Sequence, residues 1–141
     1  MPVDKVFGFF AAAGNLAKIT PSELGLRILT PQPLEIAEGA RIDYRLLSFG
    51  IPVKWRTLIT AWEPPIRFVD IQLRGPYKDW IHTHEFESID GGTRINDYVR
   101  YRLRLAPFGE IAHPLVRKRL ERIFKFRDEA LRRALLPDER G

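Results

Sequence analysis

The 141-residue sequence predicts an α+β domain of two layers, helix packed on antiparallel sheet, and three patterns predict it. A short segment with one apolar face opens the chain. Stretches of alternating polarity follow, divided by Gly and Pro, and beyond Pro107 the apolar period lengthens to that of a helix.

The opening helix is expected over Pro2 to Ala13, with proline in the first turn and Val6, Phe9, Phe10 and Ala13 on one face. Gly14 and Asn15 stop it. "GLRILTP", from Gly25, reads as a first strand closed by Pro31 and Pro33. From Arg41 come "RIDYRLL", "PVKWRTLITAW", "RFVDIQLR", "WIHTHEFESI" and "TRINDYVRYRL", parted by Phe49-Gly50, Glu63-Pro64-Pro65, Gly75-Pro76 and Asp90-Gly91-Gly92. Alternating strands joined by such short turns form successive antiparallel hairpins. The last helix is expected from Pro114, with Leu115, Leu120, Ile123, Phe124, Leu131 and Leu135 along its apolar side and His113 at its entry. Residues 136–141, "LPDERG", read as a frayed tail, and 1–141 as a single domain.

Composition narrows the function. With no cysteine, thiol nucleophiles, disulfides and thiolate metal sites are excluded. No apolar run has the length of a membrane span and "MPVDK" does not open a secretory signal, so a cytoplasmic protein is expected. The net charge of +5 gathers in "VRKRLERIFKFRDEALRR", where basic residues alternate with apolar ones at helical spacing. That pattern is the wet face of an amphipathic helix; it leaves peripheral contact with an anionic membrane open, whereas no nucleic-acid motif accompanies it.

Three segments carry a family resemblance. "VFGFFAAAGNLAKITP", the long "WEPPIRFVDIQLRGPYKDWIHTHEFESIDGGTRINDYVRYRL" and the closing "LERIFKFRDEAL" resemble the SRPBCC superfamily, in its bacterial, ligand-binding branch of the polyketide cyclase/dehydrase type. The resemblance implies a START-like, helix-grip fold, a curved antiparallel sheet wrapped around a long C-terminal helix. It also implies a cavity for a hydrophobic ligand. Members of that superfamily begin with a strand ahead of the first helix, and here that strand is missing. Its absence is expected to leave Arg94 to Leu105 as a sheet edge, guarded by Arg94, Arg100, Arg102 and Arg104, and open to a homodimer or to a restored strand.

The stretch "WIHTHEF" holds two of the three histidines. Residues two apart on a strand share a face, so Trp80, His82, His84 and Phe86 project together, with the aromatic residues favouring the interior. A turn at 89–92 pairs Ser88 with Thr93 and thereby His84 with Asp97, His82 with Val99 and Trp80 with Tyr101. A five-residue loop at 75–79 pairs Arg74 with Trp80, Gln72 with His82 and Asp70 with His84. The interior face then collects Asp70, Gln72, His82, His84 and Asp97.

Chemistry leaves three readings of this cluster: a metal site, acid/base machinery using His84 and Asp97, or a polar lattice that satisfies itself. H-x-H without a third diagnostic ligand does not define a metal site, and neither metal nor cofactor is expected. The preferred reading is a lattice that also floors a hydrophobic cavity. The same parity turns Ile42, Tyr44, Leu46, Trp55, Thr57 and Ile59 inward, beneath Leu120, Ile123, Phe124, Arg127 and Leu131 of the helix. Expected ligand contacts are Tyr44, Trp55, Thr57, Asp70, Gln72, Trp80, His82, His84, Asp97, Tyr101, Phe124 and Arg127. The expected function is carriage of a small lipid, quinone or polyketide-like aromatic molecule. Two alternatives stand beside it: a cyclase/dehydratase-like enzyme, and a protein-interaction module built on the basic helix and the open edge.

Overall fold

Six strands form one antiparallel sheet in the computed structural model, which describes residues 1–31, 34–48, 50–103 and 108–135. They are β1 (Arg27–Ile28), β2 (Arg41–Ser48), β3 (Ile51–Glu63), β4 (Arg67–Arg74), β5 (Tyr77–Ile89) and β6 (Gly92–Leu103), and their order in the sheet is their order in the chain. Helix α1 (Val3–Phe10) and two 3₁₀ turns, Ala13–Ile19 and Ser22–Leu24, precede the sheet, and α2 (Phe108–Leu135) follows it. The tail expected over 136–141 lies outside the described residues, as do Pro33, Phe49, Arg104 and Leu105.

Several element boundaries differ from the sequence reading: the first strand is confined to Arg27–Ile28, β5 already begins at Tyr77, and both helices shift. Helix α1 ends at Phe10, and the chain continues as a 3₁₀ segment in which the Asn15 amide donates to the Phe9 carbonyl at 2.7 Å. An orphan carbonyl at the helix end is thereby satisfied. The buried face of α1 is Val6, Phe7 and Phe10, related by three and four residues, while Phe9 lies to its side and is partly buried. Helix α2 begins at Phe108, so Pro114 and His113 lie inside it. Proline removes only its own N–H from the ladder, a local loss that a 28-residue helix tolerates. His113 is exposed there and stacks on Tyr101, with ring centroids 5.6 Å apart.

Registers decide which side chains share the inner face. The β5–β6 hairpin pairs Ser88 with Thr93, His84 with Asp97, His82 with Val99 and Trp80 with Tyr101, as the position of its turn requires. The β4–β5 hairpin departs by two residues: Asp70 faces His82 and Phe68 faces His84. Strand β5 starts at Tyr77, so the connection is shorter than five residues. Gln72 closes it by donating from Nε2 to the Tyr77 carbonyl at 2.7 Å and accepting from the Tyr77 N–H at 3.0 Å. A slip of two preserves parity, and Asp70 stays on the same face as both histidines.

Two apolar clusters hold the layers together. Phe7 and Phe10 of α1 meet Phe68 of β4, Phe86 of β5 and Leu131 of α2; Ala13, Ile36, Ile42 and Ile59 form the second cluster. Phe7 packs its ring 5.0 Å from that of Phe86 and 5.8 Å from that of Phe68, edge-on in both cases. Each such buried side chain contributes about 1.5–3 kcal/mol. These contacts fix α1 and the C-terminal half of α2 over one end of the sheet.

Strand β6 ends the sheet, and Arg94, Arg100 and Arg102 are exposed along it. Arg94 and Arg102 pair across the strands with Glu87 and Asp79, which lie directly opposite in the register. At the start of this edge the Thr93 hydroxyl donates to the Met1 carbonyl at 2.9 Å. Residues placed before Met1 would therefore begin near the start of β6. A β-forming segment fused upstream of Met1 is expected to raise the melting temperature by adding a strand there. An unchanged melting temperature and unchanged amide exchange in β6 would show that the edge is satisfied without it.

Candidate functional site

The inner face of the sheet carries a polar cluster of five side chains from four elements: Asp70 of β4, His82 and His84 of β5, Asp97 of β6 and Arg127 of α2. Both imidazoles are buried, at 4% and 3% exposure, and so is Arg127 at 9%. The hydrogen bonds run along the diagonals of the register. His82 Nε2 donates to Asp97 Oδ1 at 2.8 Å, and His84 Nε2 donates to Asp70 Oδ2 at 2.6 Å. Diagonal neighbours on adjoining strands are within reach of side chains of this length.

Arg127 fixes the remaining nitrogen of His84. Its Nη2 donates to His84 Nδ1 at 3.2 Å, and since guanidinium only donates, Nδ1 is the acceptor and the His84 proton sits on Nε2. The guanidinium also lies 4.0 Å from Asp97 and over the ring of Phe10, 5.4 Å from its centroid. A column of stacked rings completes the cluster: Phe68 on His84 at 3.9 Å, and His84 on His82 at 3.6 Å. His82 Nδ1 makes no hydrogen bond among the described residues, its nearest carboxylate oxygen being Asp70 Oδ2 at 3.9 Å.

Burial and pairing set the charges. Burial, with His84 beside it, pushes His82 down to about 4, against the opposing pull of the hydrogen bond to Asp97. For Asp97, burial raises the carboxyl, but the hydrogen bond from His82 together with the nearby Arg127 outweighs it and holds it well below the usual carboxylate range. Asp70 is lowered in the same way, burial being overcome by the hydrogen bond from His84 and the neighbouring positive charge. His82 is thus neutral near pH 7, beside two carboxylates and the Arg127 guanidinium.

Asp70, His82 and His84 bring potential ligand atoms within 4.8 Å of one another. The chemistry of that donor set is acceptable for a metal, but its geometry is not. The imidazole planes lie 27° apart and face to face, and their Nε2 atoms turn to carboxylates on opposite neighbours of β5, Asp97 for His82 and Asp70 for His84. Tetrahedral coordination needs lone pairs that converge.

Above the cluster lies a cavity of about 210 Å³ between the sheet and α2. Among the expected contacts, Tyr44, Trp55, Thr57, Asp70, Trp80, His82, His84, Phe124 and Arg127 line it. Asp97 and Tyr101 instead line a second cavity of about 380 Å³ between β6 and α2, which Phe124 and Arg127 separate from the first. Gln72 lines neither, its amide being committed to Tyr77 at the end of the hairpin. Sequence reasoning missed Phe9, Phe10, Asn15, Leu16 and Ile19, which close the cavity from the N-terminal segment, along with Tyr77 and Arg119. The aromatic pair in "GFF" was the signal for the first two, taken there as helix core alone.

The aromatic wall is continuous. Tyr44 stacks on Trp55 at 6.0 Å and 12°, Trp55 meets Trp80 edge-on at 5.2 Å, and Tyr77 packs 4.8 Å from Trp80. Tyr44 shares a hydrogen bond with the Thr57 hydroxyl at 3.2 Å, and burial, the larger influence, raises its phenol well above the usual range. Two donors in this lining have no partner among the described residues, Trp55 Nε1 and Arg127 Nε. A buried donor left unpaired costs about 1–3 kcal/mol.

A curved antiparallel sheet closed by a long C-terminal helix defines the helix-grip class. Solved structures carry the same fold. Protein Ms6760 from Mycobacterium smegmatis aligns with a TM-score of 0.71 at 19% identity, covering 99% of this chain and 86% of its own. CV1439 from Chromobacterium violaceum aligns at 0.73 and 15% identity, covering 97% and 91%. The Bet v 1-like protein Ara h 8.0201 aligns at 0.63 and 17%, covering 93% and 90%. The likeness is one of fold. No family model matches the sequence, and no curated protein matches it.

The cluster predicts a defined response to acid. Between the ordinary histidine value of about 6.5 and the lowered value of about 4, the unfolded chain takes up a proton at His82 that the folded chain refuses. Stability is therefore full above that window and falls as pH falls through it, by up to about 3 kcal/mol. The lowered Asp70 and Asp97 extend the loss below about pH 4, where the unfolded carboxylates protonate. His82→Gln keeps a donor for Asp97 without titrating. Urea denaturation across pH 4 to 7 is expected to show a steep slope in the native chain and a flatter one in the variant; equal slopes would place His82 in water.

Proposed function

We propose that the chain binds a small, largely apolar molecule in the cavity between the sheet and α2. The observation that carries this reading is an aromatic-walled space of about 210 Å³ with a buried polar floor at one end. A cavity of ~150 Å³ accommodates one benzene ring, so this one has room for one or two fused rings. Apolar walls with a few fixed polar groups are the usual form of a small-molecule site. The helix-grip fold is consistent with this reading, and the ligand contacts proposed are Tyr44, Trp55, Thr57, Trp80, Phe124 and Arg127, with Asp70, His82 and His84 beneath. Asp97 acts through His82, and Tyr101 through the wall of the second cavity.

Binding rests on two effects. Transfer of apolar surface out of water supplies affinity at about 25 cal/mol per Å². The floor supplies orientation, because its hydrogen bonds hold five side chains in one arrangement before the ligand arrives. Among the described residues no helix is long and apolar enough to cross a membrane.

A second reading, turnover by a cyclase- or dehydratase-like reaction, draws on a different observation. His84 has both ring nitrogens engaged and is held as an anchor. His82 is oriented by Asp97 through Nε2 and keeps Nδ1 unengaged, the arrangement of a base positioned by a carboxylate. On this reading His82 with Asp97 stands beside the His84 and Asp97 pair expected from sequence as a candidate for proton transfer, as a weak base because its pKa is pushed down to about 4.

Native mass spectrometry of freshly purified protein is expected to show a bound small molecule, released by organic solvent at about one per chain. Recovering it chemically altered after incubation would favour turnover. Finding none in repeated preparations, with an interior filled by side chains, would contradict binding.

A further inference from the structure

The outer face of the sheet, turned away from the cavity, carries rows of cations that the sequence does not place together. We infer that this face docks on an anionic lipid bilayer, its Arg and Lys rows against the headgroup phosphates and its aliphatic row against the boundary of the acyl layer.

Strand registers define the rows. Tyr44, Trp55 and Thr57 line the cavity, so their neighbours Arg45, Lys54, Arg56 and Leu58 project outward. In one row Arg27 of β1 faces Arg45 of β2, which faces Lys54 of β3. In the next, Asp43 faces Arg56 and Arg56 faces Arg74. In the third, Arg41, Leu58, Ile71, Ile81 and Arg100 follow one another across five strands, a span of about 19 Å at the usual strand spacing. Helices α1 and α2 pack on the other side, against Phe68 and Phe86, and Ile81 is left 41% exposed.

These cations lack counter-charges. Arg27, Arg41, Arg45, Lys54, Arg74 and Arg100 are exposed, and none forms an ion pair among the described residues. Asp43, the one carboxylate in the three rows, is already held by Arg56 at 2.8 Å. Like charges directly opposite one another destabilise a sheet, and an anionic surface laid against the Arg27, Arg45 and Lys54 row removes that cost. Helix α2, where the sequence concentrates its positive charge, is compensated instead. Arg117 pairs with Glu121, Arg122 with Glu23 and Arg132 with Asp128, while Arg119 donates to the Leu47 carbonyl and Arg127 is buried.

The side chains between the cations select a bilayer over a nucleic acid. Single strands are held by aromatic rings on which bases stack, and the three rows contain no aromatic ring. Duplex interfaces are strongly polar, whereas Leu58, Ile71 and Ile81 form an aliphatic strip in the middle of this face. A plane of cations with an aliphatic strip suits the surface of an anionic leaflet, where each Lys or Arg strengthens binding about 5-fold.

The test is co-sedimentation of the whole chain with vesicles of phosphatidylglycerol and phosphatidylcholine, set against vesicles of phosphatidylcholine alone. The mixed vesicles are expected to bind about 10-fold or more tightly, and added salt to weaken the binding. Arg45→Gln with Lys54→Gln should weaken it about 10-fold or more, while Lys118→Gln with Lys125→Gln, the same loss of charge on α2, should change it little. Ile81→Thr should lower it several-fold at salt that screens the cations. All of these variants replace exposed side chains, so the fold is retained. Equal losses in the sheet and helix variants would overturn the assignment to the sheet face. Equal binding of the two vesicle types, or binding of neither, would overturn the bilayer, as would a labelled single-stranded oligonucleotide bound where the mixed vesicles are not. An Ile81→Thr chain that binds as the native chain does would strike the aliphatic row from the contact.

Discussion

The hydrogen bonds from His82 to Asp97 and from His84 to Asp70 are the constraint on which the rest depends. Asp70 lies against an apolar layer and Asp97 at its more open margin; carboxylates so placed are costly unless they are paired, and a pairing that crosses from β4 through β5 to β6 ties three strands by side chains as well as by backbone. Arg127 extends the tie to the helix layer through His84 Nδ1. Sheet and helix are thereby held at a fixed separation beside the cavity, where polar contacts take over from apolar ones.

That separation makes the cavity. On the side of Phe7, Phe68, Phe86 and Leu131 the layers close and fill the space between them. On the side of Tyr44, Trp55 and Trp80 they are kept apart, and the aromatic rings line the gap. The stacked column of Phe68, His84 and His82 stands at the boundary, so the polar floor is also the end wall of the hydrophobic core. Carboxylates paired with imidazoles and a guanidinium explain why so much charge is tolerated there.

How much of this was legible in the sequence follows from the length of the interactions involved. The β5–β6 register could be counted from Asp90-Gly91, because a tight turn fixes the pairing of everything after it, and Gly91 takes the positive φ of 84° that the turn demands. The β4–β5 register could not, because the Gln72 side chain replaces part of the ladder at Tyr77, a contact with no local signature. Parity survived the two-residue slip, and for that reason Asp70 was correctly placed with the histidines while Gln72 was not. The crossing of the two hydrogen bonds was not legible either, since opposite and diagonal partners differ by a rotamer and not by a pattern. Proline misplaced the start of α2, and helical periodicity favoured Phe9 over Phe7 because it carries no record of which flank of α1 meets the sheet.

A neutral His82 imidazole, with its proton on Nε2 and held by Asp97, stands beneath the cavity, and ring nitrogen-15 NMR of the whole chain at pH 7 tests this most directly. His82 is expected to show a protonated Nε2 and an unprotonated Nδ1, and to resist a second proton down to about pH 4. A His82 ring that takes up its second proton near the ordinary value of about 6.5 would contradict it.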